Sequence, residues 1–329
     1  MNKDYFNTQA ISSSLLVALS DHPKKAKAFL EGDKKETTAM SLGSLVDMKL
    51  TQPDKIGETY YVGVENTPTD KMLTMAELFI RSKHAGIEGE DKELLLQVRN
   101  AVEYDRRLTP DKVWERFKEK AYDYCLERIA AEKRGKIFID IDTDMVADCL
   151  VDDVKTSKVR GWMFRGDLDK SRYEILFQVP IYFEYKGEKC KALLDWIIID
   201  HVEKIVTPED LKTYDGKFMS NFYRFKYYYQ ASWYTFATAK LMVQRKLDGY
   251  RLNPLNFVTV DTSGFREVEV YTVSKELSCE LMEEKPSETI KSKPTIPMLI
   301  EEYKMRKSRD EWSHSIEILE KGRIMIEEL

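Results

Sequence analysis

The chain has 329 residues, 43% of them hydrophobic and 33% charged, with a formal net charge of −5 at pH 7. Such a balance belongs to a folded globular protein rather than a disordered one. The mild acidity argues against an extended nonspecific nucleic-acid surface, although 52 lysines and arginines leave room for a local basic groove.

No apolar run is long enough to span a bilayer, and no GxxxxGKS segment supports an ATP-driven motor. Cys125, Cys149, Cys190 and Cys279 are dispersed, which reads as reduced thiols rather than a zinc site or disulfide frame. The opening MNKDYFNTQ lacks an apolar signal core, so a cytoplasmic protein with no membrane partner is expected.

In chain order, residues 10–31 read as two short helices separated at Pro23, with His22 as a structural surface residue. Met40 to Leu50 has helical apolar spacing and places Asp47 one turn after Gly43; a loop with Pro53 follows. From Pro68 to about Val159 the chain is mostly helical, with i, i+3/i+4 apolar spacing in three segments and Pro110 placed for the first turn of the third.

From Tyr173 the period changes to two, predicting strands at about 174–185, 191–200, 204–213, 255–261 and 267–273. One long helix, 220–247, is expected between the third and fourth. Its Phe222, Phe225, Tyr229, Trp233 and Phe236 form an apolar stripe assigned to the core. Tyr223, Tyr227, Gln230 and Tyr234, with Lys226 beside them, occupy the neighbouring stripe. That second stripe fits either aromatic packing on a helix flank or a polar surface facing a nucleic-acid backbone. The tail after Ser274 is helical, with a Pro-rich break at 285–297.

These elements describe a mixed α/β (α+β) core, a central sheet flanked by helices. The expected organisation is a single domain over 1–329: an N-terminal helical part (1–56), a helical insertion (57–172), the sheet and helix (173–275) and a helical tail (276–329).

The chemistry concentrates in KALLDWIIIDHVEKIVTPEDLKTYDG, Lys191 to Gly216. Two strands flank a short connection, His201 to Lys204. If the hairpin centres there, Asp195 lies opposite Asp210, and Lys212 shares their face. The Asp/Glu-x-Lys triplet occurs nine times in this chain, so alone it carries no weight. Asp210-Leu211-Lys212 stands out through its strand context and the lone Asp195 in an apolar strand. Two carboxylates and an ammonium suffice for Mg²⁺-dependent phosphodiester cleavage, and equally for a surface ion pair; the residues leave both open.

Four blocks in order carry a resemblance: ISSSLLVALSDHPKKAKAFLEG, TTAMSLGSLVDMKLTQP, the pair ALLDWIIID and TPEDLKT, and YYYQASWYTFA with its Gln-x-x-x-Tyr signature. Together they resemble the PD-(D/E)xK nuclease superfamily, and more narrowly the RecE-type (exonuclease VIII-like) phage and prophage exonucleases. The resemblance implies a restriction-endonuclease-like core and a Mg²⁺- or Mn²⁺-dependent exonuclease. Its substrate would be the ends of linear double-stranded DNA, digested 5′-to-3′ in phage-type recombination or repair in the bacterial host cytoplasm. A ring-like homo-oligomer and a single-strand annealing partner are further implications. Asp195, Asp210 and the Leu211 carbonyl would bind metal, and Lys212 would hold the attacking water. Gln230 and Tyr234 would support the site, with Tyr234 and Lys226 against the substrate strand. Where that family usually has histidine in the second block, this chain has Asp47, an oxygen ligand. The alternatives are a weakened DNA-binding or assembly protein of the same fold, favoured by Asp47, and a related endonuclease.

Overall fold

The computed structural model describes residues 3–32, 38–63, 67–87, 89–105, 107–264, 267–291 and 293–314. Two compact units divide the chain: Ser44–Cys149 is one, and Met1–Gly43 with Leu150–Leu329 the other. The edges of the Ser44–Cys149 unit lie inside the helices Thr38–Thr51 and Ile141–Thr156.

The Ser44–Cys149 unit is helical, as the apolar spacing predicts. The helices Asp70–His84, Asp91–Val102, Pro110–Phe117 and Asp123–Lys133 bury Met75, Phe79, Leu95, Val113, Phe117 and Cys125 in one core. Pro110 occupies the first turn of its helix, and the Thr109 hydroxyl accepts the Lys112 N–H at 3.4 Å. Two three-residue strands, β1 (Tyr60–Val62) and β2 (Ile137–Ile139), pair in parallel. They are too short to interrupt a helical period in the sequence.

The second unit holds a six-stranded mixed sheet. Its strands are β3 (Tyr173–Tyr185), β4 (Glu188–Asp200), β5 (Ile205–Tyr214), β6 (Arg251–Leu252), β7 (Asn256–Asp261) and β8 (Val268–Thr272). The order is β3-β4-β5-β7-β8, with β6 also on β5; β5 runs parallel to β6 and β7, and the other neighbours are antiparallel. Lys186 and Gly187 both take positive φ between β3 and β4, as a two-residue turn of matching twist requires.

The helix Tyr227–Gln244 packs on β3 and β4, with Tyr229, Trp233 and Ala237 fully buried. Leu15, Leu16 and Leu19 of the helix Ser13–Asp21 complete the same core, as do Leu299 and Ile300 of Ile296–Arg309. His22 is exposed and caps the helix Pro23–Leu30, its Nδ1 accepting the Lys24 N–H at 3.1 Å. The central mixed sheet flanked by helices is the architecture the sequence implied.

One element differs. The expected helix 220–247 is two helices, Phe218–Arg224 and Tyr227–Gln244, broken where Lys226 adopts φ +57°. Lys226 holds that conformation through its ammonium, which pairs with Asp21 Oδ1 (2.6 Å) and donates to Ser20 Oγ (2.9 Å). The break turns Phe225 outward, so this member of the apolar stripe is exposed rather than core, whereas Phe222, Tyr229 and Trp233 are buried. Among the described residues no helix is long and apolar enough to cross a membrane, and the four cysteines are free thiols.

Candidate active site

The β4–β5 register runs from Asp200↔Ile205 to Trp196↔Glu209. Extended by one pair it sets Asp195 against Asp210, as the hairpin centre implied. There the strands fork. Beyond Glu209, β5 follows β7, from Glu209↔Asn256 to Tyr214↔Asp261. Asp195 spans the opening with its side chain, Oδ2 accepting the Leu211 N–H at 2.6 Å.

A second irregularity meets the first at the same residue. The β3–β4 register places Gln178 across from Asp195, and Gln178 has φ +48°. Cys190, Ala192 and Leu194 enter the same core as Ile197 and Ile199, so the alternation of faces shifts by one residue across Asp195 and Trp196. A carboxylate can sit in this otherwise apolar strand because the shift delivers it to the fork.

Asp210 is 2% exposed. Gln230 Nε2 donates to its Oδ1 at 2.8 Å, and the Lys212 ammonium pairs with Oδ2. Lys212 Nζ also lies over the Tyr227 ring (5.1 Å) and the Phe257 ring (5.8 Å). Burial lifts the Asp210 carboxyl above the usual aspartate value, against the pull of Lys212 and Gln230. Burial disfavours the Lys212 ammonium, but the charges around it, Asp210 foremost, outweigh that and raise its pKa above the ordinary lysine value. Lys212 is therefore a fixed cation and donor. The Tyr234 phenol, buried one turn beyond Gln230, is held neutral first by burial and then by the Asp210 charge.

Asp195, Asp210, Leu211, Lys212, Gln230 and Tyr234 thus converge within one unit. Lys226 is engaged with Asp21 and Ser20 at the helix break. Asp47 belongs to the Ser44–Cys149 unit, on the helix Thr38–Thr51, where its carbonyl accepts the Thr51 hydroxyl at 2.8 Å. Lys49 on that helix binds Asp144 (2.7 Å) and Asp148 (2.6 Å).

Sequence reasoning missed Glu209. It is fully buried on the sheet face opposite Asp210, and four donors converge on its carboxylate. Arg160 grips it with Nε (2.7 Å) and Nη2 (2.5 Å), Trp196 Nε1 donates at 2.7 Å, and Asn256 Nδ2 at 2.9 Å. Trp196 and Asn256 are its backbone neighbours on β4 and β7, so Glu209 clasps three strands where they fork. The residues reveal only a second carboxylate beside Asp210; the partners lie 13 to 49 positions away.

No family model matches the sequence, and no curated protein matches it. Among solved structures, the chain is similar to the crystal structure of a "Putative exonuclease" from Eubacterium rectale. The two share 11% identity, with 100% of this chain and 95% of the other covered, at a TM-score of 0.47. So remote a likeness has no bearing on activity.

Proposed function

We propose that the chain is a metal-dependent deoxyribonuclease that degrades linear duplex DNA from its ends. The observation that carries this reading is the fork itself, which gathers Asp195, Asp210, Lys212 and Gln230 from two strands and a helix. The donor set fits a hard divalent cation: the carboxylates of Asp195 and Asp210 and the Leu211 carbonyl offer only oxygen, and the buried Asp210 charge would be offset by a cation. Mg²⁺ or Mn²⁺ bound there would supply Lewis acidity and an acidified water.

The chain's own residues do the rest. Lys212, kept protonated, positions water by donation and offsets charge on the phosphate; it is not a base. Gln230 fixes the orientation of Asp210, and Asp195 ties the Leu211 backbone to β4, so both carboxylates are held before substrate arrives. Cleavage 5′-to-3′, a ring-like homo-oligomer, an annealing partner and a role in phage-type recombination follow from the resemblance of the sequence blocks.

A second reading, a weakly active DNA-binding protein of the same fold, is favoured by Asp47, which stands where the resembled family usually has histidine. Incubating the protein with linear and covalently closed duplex, with Mg²⁺, Mn²⁺ or EDTA, separates the readings. Metal-dependent loss of linear DNA, abolished in Asp210→Asn, supports the exonuclease. Equal nicking of closed circles supports an endonuclease, and binding without cleavage supports the second reading.

A further inference from the structure

The helix break next to the site exposes apolar surface that the fold does not use. Met219, Tyr223 and Phe225 are 45%, 57% and 47% exposed. Met219 and Tyr223 are one helical turn apart on Phe218–Arg224, and Phe225 follows at its end. Phe222 between them is buried, in edge contact with Phe257 (6.0 Å), which anchors this short helix to β7. The exposed rings are therefore held on a fixed support.

These rings continue into the candidate site. Phe225 lies 5.7 Å from the Tyr227 ring, and Tyr227 carries Lys212 Nζ on its face at 5.1 Å. Phe225 is thus one ring removed from the ammonium assigned to the scissile phosphate. Arg224, exposed, sets its guanidinium 5.4 Å from the Phe225 centroid, and Lys217 at the start of the helix is exposed as well. Exposed aromatic faces beside exposed cations suit a ligand with flat rings and a negatively charged backbone.

We propose that Phe225 and Tyr223, with Arg224, form a stacking platform for the unpaired terminal bases of a DNA strand whose phosphates lead to Lys212. The platform rests on the nuclease reading for its ligand, but not for its geometry. Stacking is tolerant of base identity, which suits an enzyme that must accept every sequence it meets.

The test is binding in EDTA, which removes cleavage from the measurement, using duplex with a short single-stranded end carrying 2-aminopurine. Wild type should quench the fluorophore on binding. Phe225→Ala should weaken binding about ten-fold and abolish the quench, with no change in the salt dependence of affinity. Arg224→Gln should lower the slope of log affinity against log salt by roughly one phosphate contact while retaining the quench. Phe225→Tyr should restore both affinity and quench. If wild type binds and cleaves DNA while Phe225→Ala binds and quenches as wild type, the platform is wrong and the nuclease reading stands. If Phe225→Ala instead dissociates an oligomer in light scattering with unchanged affinity per subunit, the rings are an interface between copies and the proposal falls. If wild type binds no DNA, the nuclease reading itself fails.

Discussion

The Asp210–Lys212 pair should dominate the stability of the fork as well as its chemistry. The two side chains are only 4% and 18% exposed, so removing one partner strands a charge in poor solvent. Losing one member of a buried pair costs about 3–5 kcal/mol. Asp210→Asn should fall at the low end, about 3 kcal/mol, since Lys212 keeps some solvent and the faces of Tyr227 and Phe257. Lys212→Met differs, because Asp210 can escape by taking a proton. Its carboxyl already lies above the ordinary value through burial, and losing the ammonium lifts it further. The folded state then binds a proton that the unfolded state does not. Stability must fall as pH rises from the unfolded aspartate value towards the folded one, by up to about 1.4 kcal/mol per unit. The double variant Asp210→Asn/Lys212→Met strands nothing and should be more stable than either single variant at pH 8. Urea denaturation at pH 5, 6.5 and 8 measures all four proteins. If the two single effects add to the double within about 0.5 kcal/mol, or Lys212→Met has a pH-independent stability deficit, the pair is not coupled as argued.

Other variants separate charge from architecture. Asp195→Asn keeps an oxygen for the Leu211 N–H but loses the negative charge that the proposed metal site needs; cleavage should fall by about a hundredfold or more with Tm nearly unchanged, whereas Asp195→Leu should lower both. Gln230→Ala should reduce turnover with little effect on thermal unfolding; a large loss of Tm with normal specific activity would show that it only packs. Glu209→Leu leaves the donors of Arg160, Trp196 and Asn256 without their acceptor and should cost about 3 kcal/mol or more, most of it recovered by the double variant Glu209→Leu/Arg160→Met, as urea titration would show.

How legible the site was depended on the range of the interactions. The hairpin register could be read because a four-residue connection, polar at its ends, fixes the centre, and every pair out to Trp196↔Glu209 follows from it. Asp195 was conspicuous as the lone charge in an apolar run. The Gln178 kink beside it has no such signature, since nothing in a glutamine within an alternating run foretells φ +48°. The break at Lys226 escaped for a similar reason: helical spacing continues through it, and the residue that breaks it is a lysine anchored by Asp21 on a distant helix. Helical spacing therefore places Phe225 in the core with its stripe neighbours, whereas in the fold Phe222, Tyr229 and Trp233 are buried and Phe225 is exposed. Glu209 could not be recognised at all from local pattern, as its meaning lies in Arg160, Trp196 and Asn256.

The sheet unit is interrupted in sequence, and that sets an order of events during synthesis. Ile11 exchanges backbone hydrogen bonds with Lys189 and Lys191 (2.9 and 2.8 Å), and Leu15, Leu16 and Leu19 are buried in a core with β3 and β4. Those partners leave the ribosome about 180 residues after the N-terminal helix, a delay on the order of ten to forty seconds at ordinary elongation rates. Throughout that interval the leucine face lacks its sheet partners and has only the following helix Pro23–Leu30, whose Ala26 shares that core, while the Ser44–Cys149 unit, contiguous in sequence, can already collapse. The nascent chain therefore carries an apolar helix only partly covered until the sheet emerges, a form that a holding chaperone would engage and that dilution from denaturant would bypass.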